Sequence, residues 1–184
     1  MMGKIEAVVL KLFASAMTCS APALAAPLAF DCDVPPNHYS SVSQDVAGPI
    51  VIGGTVQVVE MRSGNNLPVA GARLVSADGN DSVGFQIIAA SARAKQFEVV
   101  LSTKLGSDVK QSTVAQIPAD ASIRFSLSLN KAGHAVLAIN ESKFGTSFMP
   151  LPTGKAMTFC STGQFKFSEL ILSGKDGGGA TGAS

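Results

Sequence analysis

The sequence predicts an all-β protein with little helix, built as a sandwich or a barrel of antiparallel strands. The first observation is that apolar and polar residues alternate along much of the chain, most clearly over residues 123–130 (IRFSLSLN). Such alternation places the apolar side chains on one face of a strand. The second observation is that turn residues recur at spacings of about ten residues, which is typical of a sandwich or a barrel.

The first 25 residues have the pattern of a secretion signal. Lys4 precedes a mostly apolar stretch at 7–17, and the segment ends in the small-x-small pattern ALA that signal peptidase recognises. The apolar stretch is shorter than the roughly 20 residues that cross a bilayer, so we expect no transmembrane span. We expect cleavage after Ala25 and a secreted or periplasmic protein. Lipidation at Cys19 and a retained N-terminus are the alternatives.

The remaining chain has the length of one domain, and we assign that domain to residues 26–173. Residues 174–184 (GKDGGGATGAS) carry no large apolar side chain, which predicts a flexible tail. Removing Lys4, Lys11 and Glu6 from the 14 basic and 13 acidic residues leaves 12 of each. The chain without the signal segment is therefore neutral and has no run of basic residues, so we expect no binding to nucleic acid.

The predicted strands follow in order. Runs at 51–62, 83–89 and 97–103 resemble the one at 123–130, and turn residues separate such runs at Asp78-Gly79, Lys131–Gly133, Asn140–Ser142 and Thr162-Gly163. The last of these turns is expected to separate a strand at 157–159 from one at 165–167. Residues 89–95 are too short for a stable helix and predict a turn or a single helical turn.

The last predicted strand contains a change of register. Phe165 and Phe167 are at odd-numbered positions, whereas Leu170 and Leu172 are at even-numbered positions. A shift of one residue turns the apolar set to the opposite face of a sheet. A β-bulge near residues 168–169 would restore the common orientation.

Cys32 and Cys160 are the two cysteines that remain after the signal segment. An even pair in an oxidising compartment indicates a disulfide, and two separate thiols are the alternative.

Three stretches of the chain have a recognisable pattern. Residues 72–89 form a strand, an acidic turn and a strand; residues 121–142 form a strand, a short turn and a strand ending near an Asn; residues 165–173 form a closing strand. Together they resemble the concanavalin A-like jelly roll in its laminin-G-like or lectin/glucanase form. The resemblance implies an antiparallel β-sandwich, two packed sheets with about a dozen strands in all. Its adjacent terminal strands would bring Cys32 and Cys160 close together.

The chain also departs from that family. It contains no Trp, and it lacks the Glu-x-Asp-x-x-Glu cluster of the glucanase members. Glucanase activity is therefore not implied by the resemblance.

Aromatic residues provide the candidate ligand-binding positions. Tyr39 is the one tyrosine, and Phe144 and Phe148 lie in a predicted loop rich in Gly, Ser and Pro. We predict that these three residues bind a ligand. For the two phenylalanines, capping one end of the core is the alternative.

Asp78, Asn80 and Asp81 place oxygen ligands in one tight turn, the chemistry that suits calcium. The alternative is a plain hairpin turn stabilised by side-chain hydrogen bonds to the backbone. We expect no other cofactor.

No catalytic residue is assigned. A Gly-x-Ser-x-Gly turn, a Walker loop and a Cys-x-x-Cys pair are absent from the sequence. The four glutamates after residue 26 lie far apart along the chain: Glu60, Glu98, Glu141 and Glu169.

The sequence therefore predicts a secreted or periplasmic, non-catalytic binding protein that recognises a glycan or another extracytoplasmic surface component. The alternatives are a polysaccharide hydrolase or lyase on the same scaffold, and a structural or adhesive subunit.

Overall fold

A computed structural model describes residues 27–174 of the chain. The predicted signal segment 1–25 lies outside the described residues, and so do all residues of the predicted tail after Gly174. The described part forms ten strands and no helix: β1 (Leu28–Ala47), β2 (Ile50–Met61), β3 (Val69–Ser76), β4 (Ser82–Ala89), β5 (Gln96–Leu105), β6 (Asp108–Pro118), β7 (Ile123–Leu129), β8 (His134–Ile139), β9 (Ser142–Ser147) and β10 (Thr153–Ser173). None of these residues forms a helix that could span a membrane.

The strands form two layers of six, and every paired neighbour is antiparallel. Layer A contains β3, β4, β5 and β6 together with residues 39–47 of β1 and 153–161 of β10. Layer B contains β2, β7, β8 and β9 together with residues 28–34 of β1 and 163–173 of β10. Ten strands thus provide twelve strand segments, because β1 and β10 each take part in both layers.

Buried rings join the two layers. Phe85 on β4 of layer A lies 5.2 Å, centroid to centroid, from Phe125 on β7 of layer B. Phe97 on β5 of layer A lies 6.5 Å from Phe165 in the layer B half of β10. All four rings are at most 2 % exposed. The inward-facing apolar residues of both layers form one continuous core, and the predicted β-sandwich is confirmed.

The predicted disulfide is also confirmed. Cys32 lies in the layer B half of β1, and Cys160 lies in the layer A half of β10. Their Cα atoms are 6.1 Å apart, and neither residue is more than 1 % exposed. The bond therefore crosses the core at the place where both strands change layer.

The predicted turn at Thr162-Gly163 is wrong, because β10 continues through these residues from layer A to layer B. A hairpin would pair residues 157–159 with residues 165–167. Each half of β10 instead pairs with β1 on one side and with a different strand, β3 or β2, on the other. The positive φ of Thr162, 54°, bends the strand without reversing it.

Other local predictions are confirmed. The register of β10 against β2 shifts between Ser168 and Ile171, and Glu169 in that bulge has a φ of 52°. Residues 89–95 form a turn without helix, in which the Ala94 amide donates to the Ser91 carbonyl at 3.1 Å. Three of the four predicted turns connect hairpins, between β3 and β4, β7 and β8, and β8 and β9.

Candidate functional site

The outer face of layer A, which is the face turned away from the core, carries unusually large apolar side chains on β10. Ala156, Thr158 and Cys160 of this strand are buried toward the core, so Met157 and Phe159 lie on the outer face. Small residues therefore face inward and large ones face outward, the reverse of the usual arrangement. This inversion makes the outer face around β10 the candidate site.

Four side chains on this face form what we call the Tyr39 cluster: Tyr39 of β1, Arg73 of β3, and Met157 and Phe159 of β10. The rings of Tyr39 and Phe159 stack with their centroids 5.8 Å apart. The guanidinium carbon of Arg73 lies 5.1 Å from the centroid of the Phe159 ring, a cation–π geometry. An N–H of Arg73 donates to the Tyr39 hydroxyl at 3.2 Å, and that hydroxyl donates to the Met157 sulfur at 3.4 Å. These contacts fix the orientation of Tyr39 and Arg73.

Two glycines provide the space that this cluster fills. Gly71 pairs with Phe159, and Gly84 pairs with Arg73. A Cβ atom at Gly71 would lie 3.1 Å from the Phe159 ring, besides meeting the backbone oxygen of Phe85. A Cβ atom at Gly84 would lie 2.6 Å from the Cβ atom of Arg73. A side chain at Gly71 would meet both the Phe159 ring and the backbone of β4, and a side chain at Gly84 would meet the backbone of β3 at Ala72 and Arg73.

The members of the cluster differ in their exposure to solvent. Phe159 is only 5 % exposed, whereas Tyr39 is 51 % exposed. Phe159 therefore supports the cluster, and a ligand would contact Tyr39 and the half-buried Arg73. An aromatic face has partial negative charge and attracts C–H groups, while a guanidinium group donates hydrogen bonds.

The crossover of β1 between the layers fixes the position of Tyr39. Asn37 has a φ of 65°, and its amide donates to the hydroxyl of Thr162 at 3.2 Å. The hydroxyl of Ser161 donates to the carbonyl of His38 at 2.8 Å. Both bonds tie β1 to the bend of β10 directly before Tyr39, so the same crossover builds the fold and places the aromatic ring.

Gln86 is a further polar residue on this face. It lies on β4 opposite Gly71, which separates it from Phe159 on β10. Its side chain is half-buried, and within residues 27–174 no protein group hydrogen-bonds it. An amide in this position is free to donate to and accept from a ligand.

The structure does not bring the other predicted aromatic residues to this face. Phe144 lies within β9 and not in a loop, and Phe148 follows that strand directly. Both are half-buried and pack against the core at the edge of layer B. Phe144 also lines a groove of about 490 Å³ between the free edges of the two layers, formed by β5, β6 and β9. A binding role for these two residues stays a prediction.

The acidic turn between β3 and β4 is internally hydrogen-bonded. The carboxylate of Asp78 accepts bonds from the Ser76 hydroxyl at 2.5 Å and from the Asn80 side chain at 2.7 Å. These hydrogen bonds lower the pKa of Asp78 below its usual value. The largest contribution comes from the Ser76 hydroxyl, followed by Asn80. Asp81 accepts from the Gly106 amide at 2.8 Å. Calcium binding by this turn stays a prediction; the described chain contains no group of three or more His, Cys, Asp or Glu suited to a metal ion.

Carboxylates are widely separated on the outer face of layer A. Asp45 lies on β1 and Glu98 lies on β5, four strand positions away. Four spacings correspond to roughly 19 Å. Glycoside hydrolysis requires two carboxylates about 5 to 10 Å apart. These two residues therefore do not form such a pair.

On layer B, one arginine binds two carboxylates. Arg62 donates to Asp33 and to Glu60, each at 2.7 Å. The hydrogen bond to Glu60, followed by the one to Asp33, raises the pKa of Arg62 above its usual value. Both carboxylates are thus neutralised by a cation that also bonds the carbonyl of Val34 at 2.7 Å, and the group holds β2 against the crossover of β1.

Sequence reasoning missed Arg73, Phe159 and Gln86. A signal was present in the alternation of small and large residues from Ala156 to Cys160. This alternation becomes informative only when it is known which residues of β10 face the core.

Comparison with known proteins identifies the fold. No protein-family model matches the sequence, and no curated protein matches it. Among solved structures, an alginate lyase from Pseudomonas aeruginosa superposes with a TM-score of 0.52 at 12 % identity, covering 69 % of this chain and 65 % of the lyase. Alginate lyase A1-II', a member of polysaccharide lyase family 7, has a TM-score of 0.50 at 13 % identity, covering 72 % and 66 %. A carbohydrate-binding module from Bacillus subtilis has a TM-score of 0.47 at 7 % identity, covering 73 % of this chain and 81 % of the module.

This chain has the concanavalin A-like jelly-roll fold. The three stretches that carried the resemblance are now placed in the jelly roll: residues 72–89 span the β3–β4 hairpin, residues 121–142 span β7 and β8, and residues 165–173 form the layer B end of β10, next to β1 and β2. The chain spans about two thirds of the length of either lyase.

Proposed function

We propose that this protein binds a glycan on the outer face of layer A, with the Tyr39 cluster at the centre of the site. We further propose that it does so without catalysis, outside the cytoplasm.

The observation that carries this proposal is the half-exposed ring of Tyr39, fixed between Phe159 and Arg73. A sugar ring has an apolar face of C–H groups and a rim of hydroxyl groups. The face packs on an aromatic ring, and the rim requires hydrogen-bonding groups beside that ring. Arg73 supplies such groups beside the Tyr39 ring, and Gln86 on β4 offers further ones along the same face.

The shape of the site favours a polymer over a single sugar. Layer A has six strands, so its outer face extends about 24 Å across the strand direction. The Tyr39 cluster lies near the β1 side, and Gln86 and the residues of β5 and β6 continue the face in the other direction. An extended chain can contact several of these strands at once.

The fold supports a saccharide ligand in general terms. Solved structures with this fold include two alginate lyases, although at 12–13 % identity the likeness concerns the fold alone. The separation of Asp45 from Glu98 favours binding over hydrolysis on this face.

The proposed location rests on the disulfide. A structural disulfide persists in oxidising compartments and is rare in the cytosol. Together with the predicted signal segment, it favours secretion or export to the periplasm.

Binding is tested on a polysaccharide array and quantified by isothermal titration calorimetry. Replacement of Tyr39 by Ala is expected to weaken binding at least about fivefold through loss of the stacking surface, and Tyr39→Phe is expected to retain most of it. Phe148→Ala is the matched control, because it removes an aromatic residue from the edge of layer B.

Three results would contradict the proposal or part of it. If Phe148→Ala abolished binding while Tyr39→Ala did not, the site would lie at the layer B edge. Shortening of the polymer during incubation would establish the hydrolase or lyase alternative. Absence of binding to any glycan, with stable oligomers in size-exclusion chromatography, would favour a structural or adhesive subunit.

A further inference from the structure

We propose that the glycan carries carboxylate groups and that Arg73 binds one of them. This inference rests on the proposed function and adds the chemical class of the ligand.

The guanidinium group of Arg73 is held in place by uncharged groups. Its N–H groups donate to the Tyr39 hydroxyl at 3.2 Å and to the Met157 sulfur at 3.4 Å, and its cationic carbon lies over the Phe159 ring. These contacts use two of its five N–H donors. The remaining donors are available to a ligand.

Among the residues that the structure describes, none is a counter-ion to Arg73, in contrast to the other half-buried arginine, Arg62. Arg62 is bound by two carboxylates, at 2.7 Å each. The ion pairs of residues 27–174 include none to Arg73. A cation that is partly removed from water, and that no carboxylate of residues 27–174 pairs with, can gain a carboxylate from a ligand.

The type of cation favours a planar anion. A guanidinium group presents parallel N–H donors that match both oxygens of a carboxylate, a geometry that a lysine ammonium does not reproduce. A uronic acid carries its carboxylate on the rim of the sugar ring. A ring packed on Tyr39 therefore extends its rim toward the neighbouring Arg73, whose N–H lies 3.2 Å from the Tyr39 hydroxyl.

The charge around the site is consistent with this choice. Lys155 is diagonal to Arg73 across the β3–β10 pair, although it lies directly opposite Asp45 of β1. Lys104 lies on the same face, on β5, and Glu98 lies on that face too, six residues away toward the other end of the strand. The chain as a whole has a formal net charge of only +1, so attraction of an anionic polymer would be local to this face.

The test compares one polymer in two forms, polygalacturonate and its fully methyl-esterified derivative, by isothermal titration calorimetry with the full chain. Alginate, hyaluronate, neutral dextran and dextran sulfate complete the panel. The variants are Arg73→Lys, which keeps the positive charge but lacks the planar guanidinium group, and Arg73→Gln, which removes the charge. Lys143→Gln on β9 of layer B removes one positive charge far from the site as the control. Circular dichroism confirms that each variant is folded.

We expect at least one uronate polymer to bind, and its binding to weaken about tenfold or more in Arg73→Lys and Arg73→Gln but not in Lys143→Gln. For polygalacturonate, esterification should have an effect of the same size. A protein that binds neutral glycans as well as acidic ones, and loses both in Tyr39→Ala, would overturn the carboxylate inference while the proposed function stands. If Arg73→Lys and Lys143→Gln weakened binding equally, and the protein preferred dextran sulfate, binding would depend on charge in general and not on the carboxylate. That result would overturn the inference. Absence of binding to the whole panel and to the polysaccharide array would overturn both proposals.

Discussion

Replacement of both Cys32 and Cys160 by alanine is expected to destabilise the protein strongly, because the bond between them closes a loop of 128 residues. In the unfolded chain this cross-link removes entropy that grows with the logarithm of loop length. For this separation the chain-entropy relation gives about 16 to 17 cal/mol/K, or about 5 kcal/mol at 25 °C. A domain of this size has a total free energy of unfolding of about 5–15 kcal/mol, so the variant would lose a third or more of it.

The measurement is urea unfolding followed by circular dichroism, with thermal melts in parallel. A loss of this size lowers Tm by roughly 10–20 °C. The slope of the free energy against urea should rise, because the unfolded chain without the cross-link exposes more surface. Val34→Ala is the control: it removes buried volume two residues from Cys32 without changing the connectivity of the chain, and Val34 is 6 % exposed. If the double cysteine variant lost no more stability than Val34→Ala, the chain-entropy reasoning would be refuted.

Three further perturbations test particular residues. Thr158 is fully buried, and its hydroxyl has no hydrogen-bond partner among the described residues, so Thr158→Val should raise the free energy of unfolding by about 1–2 kcal/mol, and a loss in urea unfolding would contradict this. Glu169→Gly should stabilise by about 0.5–1 kcal/mol in the same assay, because glycine adopts the φ of 52° without the steric cost of a side chain, and a destabilised variant would show that the glutamate makes a compensating contact. Since its pKa is lowered in the folded state, Asp78 stabilises the fold above the pKa it has when unfolded, and that contribution is lost as the pH falls through the folded pKa. An NMR titration of its carboxyl group should give a midpoint below that of an ordinary aspartate, and a midpoint at or above the ordinary value would show that the hydrogen bonds of the turn do not persist in solution.

Local patterns predicted much of the fold. The alternation at 123–130 corresponds to β7, and its inward residues are all buried. The change of parity before Leu170 predicted a bulge that the pairing of β10 with β2 contains. These features are predictable because period, parity and turn residues act over a few positions of the backbone.

The failure at Thr162-Gly163 has a specific physical cause. A residue with a positive φ next to glycine can close a hairpin or bend a continuous strand, and the two outcomes have the same local sequence. The choice depends on which strands are available as partners. In this fold β1 runs beside β10 along almost its whole length, and that pairing keeps β10 extended through the bend.

The candidate site, too, was only partly predictable from the sequence. Tyr39 was singled out because it is the one tyrosine of the chain, and the structure places it on the outer face of layer A with 51 % exposure. Arg73 and Phe159 carry no local signal of a site. They contact Tyr39 because β1, β10 and β3 are neighbours, although 34 residues separate Tyr39 from Arg73 and many more separate it from β10.

The sequence by itself determined that the chain is built of antiparallel strands with an apolar and a polar face, and it indicated which two cysteines join. Only the tertiary structure decided which strands are neighbours, and therefore which side chains share the outer face of layer A. The reason is that alternation is a property of the nearest residues in the chain, whereas strand order results from the packing of two layers around one core. The Tyr39 cluster depends on that order, because each of its contacts joins residues of different strands.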